Sequence, residues 1–162
     1  TLIDSVTLGS SASSVTFSAI PAGGDLVLVA EFNSNSLGEI SMSVNTAGTI
    51  QGEGVVARGN GSSASSGTTT GALLPLTSNI FTDTGGKGLL VVQVMDYSAT
   101  DKHKSILARF NVASGSSYPG TSMMAGRYAT TAAITALQLK FGGGQQFQSG
   151  NTFFLYNIAK AL

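Results

Sequence analysis

The sequence predicts an all-β chain, a single antiparallel sandwich or barrel. Three observations predict it. Short apolar stretches alternate with period two from end to end, clusters of Gly, Ser, Asn, Asp and Thr separate them, and those same small residues interrupt almost every window long enough for a helix. The 162 residues match one domain, and 42% hydrophobic residues with a mean hydropathy of +0.25 supply enough apolar surface for a core. We therefore read residues 1–162 as one β-sandwich domain.

The elements follow in chain order. Residues 15–19 set Val15, Phe17 and Ala19 on one face against Thr16 and Ser18 on the other. Residues 25–32 and 88–95 are nearly continuous apolar runs, which predicts central strands covered on both faces. In residues 39–45, Ile40, Met42 and Val44 face a core and the polar residues face water. Residues 59–71 are almost entirely Gly, Ser and Thr, which predicts a long flexible surface loop. Residues 106–112 place Ile106, Ala108, Phe110 and Val112 on one face, with Arg109 opposite. Leu137, Leu139 and Phe141 alternate likewise with Gln138 and Lys140. A short helical turn is conceivable only over residues 129–136, where Thr130, Thr131 and Ile134 oppose it. Residues 152–158 are apolar on both faces, so their outer face predicts contact with another subunit. Pro21, Pro75 and Pro119 fall where strands should end, as befits residues that cannot donate to a ladder.

Charge narrows the function classes. Only 10% of residues are Asp, Glu, Lys or Arg, eight of each sign, against about 25% in ordinary soluble domains. So few cations neutralise few phosphates, which argues against nucleic acid and anionic membrane as partners. A weakly charged surface also repels its own copies weakly, which points to self-association. Cysteine is absent, so disulfides, thiolate nucleophiles and Cys-ligated zinc are excluded. The opening Thr1-Leu2-Ile3-Asp4 has no signal-peptide pattern, and no apolar run reaches the length of a membrane helix.

Candidate chemistry is sparse. His103, the only histidine, follows Asp96 and Asp101, and one imidazole with two carboxylates has the donor types of a divalent-metal site or of a Ser-His-Asp relay. The same stretch reads better as a polar hairpin turn, and no Gly-x-Ser-x-Gly elbow marks a nucleophile. Asp83-Thr84-Gly85 matches the aspartic-protease tripeptide but lacks its apolar flanks and second glycine motif, so it too reads as a turn. Glu31, Glu39, Glu53 and five Asp form no paired motif for glycoside hydrolysis. Gly142-Gly143-Gly144 lacks the Lys and Ser/Thr of a phosphate loop, and Asn60-Gly61-Ser62 fits a glycosylation acceptor that arises easily by chance. Tyr97, Tyr118, Tyr128 and Tyr156 are the residues available for stacking on a sugar. Met123-Met124 serves equally as core filling or as an adaptable interface patch. The expectation is a non-enzyme without metal or cofactor.

Several segments carry a resemblance. Leu2-Ile3-Asp4-Ser5-Val6-Thr7-Leu8, the stretch from Ser13 through Pro21 to Val29, Asp96-Tyr97-Ser98 with His103-Lys104, residues 133–139, and the close from Gly150 to Ile158 resemble small structural proteins of tailed bacteriophages. That resemblance covers most of the chain outside the Gly/Ser/Thr segment. It implies a jelly-roll-like sandwich, and a virion protein that cements or decorates the capsid as a homotrimer. Its partners would be the major capsid protein and its own copies, and it would be assembled in the host cytoplasm onto the capsid surface. A tail-fibre or tail-tip module binding a host saccharide is the alternative. Asn157 stands where the family's Leu-Tyr-Gly-Ile ending has glycine, which leaves a left-handed or bulged backbone open there, since Asn tolerates it best after Gly. The expected contact residues are Leu2, Ile3, Phe153, Phe154, Tyr156, Ile158 and Leu162.

Overall fold

Among the described residues twelve strands form two antiparallel sheets. The structure, a computed structural model, describes residues 1–36, 38–45, 52–59, 64–71, 74–75, 86–113 and 120–159. In chain order the strands are β1 Leu2–Thr7, β2 Ser14–Phe17, β3 Asp25–Phe32, β4 Ile40–Val44, β5 Gly52–Gly59, β6 Ala64–Gly71, β7 Leu74–Pro75, β8 Lys87–Val94, β9 Lys104–Ala113, β10 Thr121–Tyr128, β11 Leu137–Phe141 and β12 Thr152–Ile158. Eight form one sheet in the order β1-β12-β3-β8-β9-β10-β5-β6, and four form a second in the order β2-β11-β4-β7. The sandwich predicted from alternation is therefore present. Its division into eight and four strands differs from the eight-stranded double sheet of a jelly roll.

Register carries the alternation across whole sheets. Leu155 pairs with Leu28, Leu28 with Val92, Val92 with Ala108 and Ala108 with Met124, so one buried row crosses five strands. In the smaller sheet Val15, Leu139 and Met42 make the facing row, beside Phe17, Leu137 and Val44. Each fully buried Leu, Val or Met contributes on the order of 1.5–3 kcal/mol of transfer free energy.

Phe32 joins the layers. Its ring lies 5.7 Å from Phe110 and 6.4 Å from Phe153 in its own sheet, 6.1 Å from Phe141 in the other, and 5.4 Å from Phe147 between them. Phe147 is held by bridges to Ala12 and Ser34 on either side. Gly88 sits opposite Phe32, and a Cβ there would stand 2.7 Å from the Phe110 ring, so glycine is what lets the rings stack.

Four sequence expectations change. Residues 64–71 form β6, paired with β5 over its whole length, because a Thr-rich run fits a sheet edge as well as a loop; residues 60–63 lie outside the described residues. Residues 129–136 form no helix but an irregular segment: the Asn45 side chain accepts from the amides of Thr135 (2.7 Å) and Ala136 (3.2 Å) and donates to the Ala133 carbonyl (2.6 Å). Strands β3 and β8 are central, yet only one face of each is buried. Asn157 keeps regular strand pairing with Leu26, and its Oδ1 accepts from the Gly24 amide instead of supporting a left-handed turn.

Truncating Phe32 to Ala removes the ring that touches four others. Phe32→Ala is expected to cost about 3–5 kcal/mol in urea unfolding. A loss below about 1 kcal/mol would show that the aromatic cluster does not join the sheets.

Candidate functional site

The strand pleat that buries one row of each strand turns the next row outward. On the eight-stranded sheet the two central outward rows are largely apolar. From β12 to β10 the outward residues pair as Tyr156, Val27, Gln93, Leu107 and Ala125, and, one step along, as Phe154, Val29, Val91, Arg109 and Met123. Flanking them, Ile158, Asp25, Met95, Ser105 and Arg127 form a third row, and Thr152, Glu31, Leu89, Asn111 and Thr121 a fourth. Leu89, Met95 and Met123 are 48%, 52% and 53% exposed, far above what a core position shows. The two central rows with Leu89, Met95 and Ile158 form an exposed apolar patch bordered by polar residues, the kind of patch that partners commonly cover. Between β12 and β9 it dips into an open cleft of about 290 Å³, lined among others by Asp25, Val27, Gln93, Met95, Leu107 and Ile158.

Charge on this face is divided by side. Asp25 and Glu31 stand on β3, whereas Arg109 and Arg127 stand on β9 and β10. Glu31 is bonded to Lys87, and Asp25 accepts from the Asp96 amide at 2.8 Å.

The expected contact residues gather at one border of the same sheet, with exceptions. Leu2 is exposed and opposes Tyr156 across the β1–β12 pair, and the Phe154 and Tyr156 rings stack at 6.5 Å. Ile158 is exposed at the end of β12. Phe153 is a correction: alternation turns it inward, where it is wholly buried 5.0 Å from Phe147. Ile3, beside a register shift in β1, packs partly against the core. Leu162 lies outside the described residues. Missed altogether were Val27, Val29, Leu89, Val91, Met95 and Leu107, because a continuous apolar run hides its own alternation. Met123 and Met124 split the two readings between them, Met123 on the outer face and Met124 in the core.

The candidate catalytic residues do not assemble. His103 is exposed with its Nδ1 3.2 Å from an Arg127 nitrogen, while Asp96 faces Lys102 at 3.9 Å. Among the described residues no three His, Asp or Glu side chains converge as metal ligands. Asp83-Thr84-Gly85, Asn60-Gly61-Ser62 and Tyr118 lie outside the described residues. Gly143 and Gly144 adopt φ of 68° and 83°, the conformation of the turn expected there. Tyr97 and Tyr128 are buried, which removes them from sugar stacking; the Tyr97 hydroxyl donates to the Pro21 carbonyl, and burial raises its pKa.

Lys104, next to His103, is a structural cation. It is fully buried, and its Nζ donates to the carbonyls of Ala99 (2.6 Å), Thr131 (2.7 Å) and Lys102 (3.0 Å), tying the 96–103 turn to the 129–135 segment. Desolvation pushes its ammonium below the ordinary lysine range, and nearby Asp101 pulls it back up.

Comparison with protein-family models, curated proteins and solved structures gave no match for this chain.

Lys104→Met leaves three carbonyls that converge on the buried Nζ without their donor. The variant is expected to lose about 2–4 kcal/mol in urea unfolding. An unchanged midpoint would mean that the two segments hold without the cation.

Proposed function

We propose that this chain is a structural subunit of a virion coat, a cement or decoration protein that holds capsid subunits together by apolar contact and performs no catalysis. The observation that supports the reading is the outer face of the eight-stranded sheet, where Leu89, Leu107, Met123 and Ile158 on β8, β9, β10 and β12, and Met95 just past β8, are exposed. A sheet so apolar on its open side gains from being covered, at roughly 25 cal/mol per Å² of apolar surface removed from water. The capsid setting comes from the resemblance of the chain's ends and strand segments to tailed-phage structural proteins.

Attachment to the capsid falls to the β1 border. Strand β1 is an edge strand, and Leu2 stands exposed upon it. Its backbone is guarded, since the Ser5 amide already donates to the Asp4 carboxylate at 2.8 Å and a register shift interrupts the ladder beside Ile3. Contact there therefore relies on the Leu2 side chain more than on full-length strand addition.

Co-sedimentation with assembled shells of the major capsid protein from the same genome tests the proposal. Wild-type protein is expected in the pellet, and Leu2→Asp is expected to bind at least about tenfold more weakly with its melting temperature unchanged. Wild-type protein that stays in the supernatant would overturn the capsid reading, and undiminished binding by Leu2→Asp would overturn the placement at β1.

A further inference from the structure

We propose that the outer face of the eight-stranded sheet is covered by a second copy of this chain, the two sheets stacked about a two-fold axis that runs along β8. This rests on the reading of that face as an assembly surface and names its occupant.

Size comes first. The five strands from β12 to β10, at about 4.8 Å each, and seven residues of strand, at about 3.3 Å each, give a flat footprint of roughly 550 Å² that leaves β1 to the capsid. Stable pairs bury about 800 Å² per partner, and this footprint supplies about two-thirds of that area before the relief of the side chains is counted.

Pattern comes second. A two-fold axis along β8 lays β3 over the partner copy's β9 and β12 over its β10, row for row. Tyr156 then meets Ala125 of the other copy, a large side chain over a small one. Phe154 meets Met123 and Val27 meets Leu107. On the axis Leu89, Val91, Gln93 and Met95 each meet themselves, and at its end Lys87 also meets its copy, each ammonium paired with its own Glu31. Aligned sheets pack about 10 Å apart with strands within about 30° of each other, which keeps the positions near the axis opposed.

Charge comes third, and it selects the axis. With the axis along β8, the acidic side of one face, Asp25 and Glu31 on β3, lies over the basic side of the other, Arg109 and Arg127 on β9 and β10. Arg127 crosses Ile158 with its aliphatic stem and brings its guanidinium within one strand of Asp25. A two-fold axis across the strands would instead set Asp25 over Glu31 of the other copy, a like-charge contact that disfavours that alternative. A three-fold arrangement brings different patches together and leaves the self-matching rows along β8 unused.

The chain contains no cysteine, so single cysteines can be placed as reporters without background. Gln93→Cys puts one on the proposed axis. Gln138→Cys puts one on the exposed side of the other sheet, where Gln138 bonds Thr16. Across stacked sheets the two Cα atoms stand about 10 Å apart, beyond disulfide reach and within that of a short bis-maleimide. Light scattering over a dilution series is expected to give twice the 16.4 kDa chain mass. Bis-maleimide is expected to link Gln93→Cys into a covalent pair and to leave Gln138→Cys single. Leu89→Glu and Met95→Glu, both at exposed positions, are each expected to raise the dissociation constant at least about 100-fold with unchanged circular dichroism. A chain that stays monomeric at every concentration, a three-chain mass, or equal cross-linking at the two cysteines would overturn the inference. Capsid binding by a strict monomer would remove this pairing and leave the coat reading standing, whereas a dimer that ignores capsid shells would do the reverse.

Discussion

Phe32 decides which side of the larger sheet is inside. Its ring touches Phe110 and Phe153 from its own sheet, Phe141 from the facing one and Phe147 from the segment between them. Aromatic pairs at these separations add about 0.5–1.5 kcal/mol each beyond the area they bury. With Phe32 inward, the pleat obliges Leu26, Leu28 and Ala30 to face the core and Val27 and Val29 to face away. Hydrogen-bonded register passes the same decision to β8, β9, β10 and β12. The smaller sheet lies on the inner face, and among the described residues no second layer covers the outer rows.

Polar side chains then fix the segments that the strands leave over. Asn45, at φ 51°, closes the 133–136 segment against the end of β4, and Asn151 holds the Asn33 backbone by donating to its carbonyl at 2.6 Å and accepting from its amide at 3.1 Å. Asn157 fills the space beside Gly23, where a Cβ would stand 2.0 Å from its amide nitrogen. Lys104 does the same work with a charge. Each satisfies backbone groups that burial would otherwise leave unmatched, which is why the loops hold without regular structure.

Much of the fold was legible in the residues. The alternation in residues 39–45, 106–112 and 137–141 gave both the strand and its buried side, because one face was polar and the other apolar. The outer face was not legible, for the complementary reason: Val27, Val29, Leu89 and Val91 are as apolar as their buried neighbours, and only pairing order distinguishes them. The same ambiguity placed Phe153 in the contact set, although Phe154 and Tyr156 in the same run do face outward. The β6 strand escaped notice because Ser, Thr and Gly carry no hydrophobic period; its pairing with β5 is a backbone property. Lys104 gave no signal either, since the three carbonyls that converge on it from two segments leave no local motif.

The proposed covering of the outer face by a partner would account for the unusual composition, few charges and several exposed apolar residues, as a property of an assembly. The four methionines test this directly, two in the core and two on the outer face: Met42 and Met124 are buried, Met95 and Met123 are exposed. Dilute hydrogen peroxide followed by peptide mass spectrometry, at low and at high protein concentration, reads all four at once. The account predicts that Met42 and Met124 resist oxidation throughout, and that Met95 and Met123 oxidise quickly when dilute and slowly when concentrated. Oxidation of all four at similar rates would contradict the assignment of inner and outer faces, and rates for Met95 and Met123 that ignore concentration would contradict the covering of the outer one.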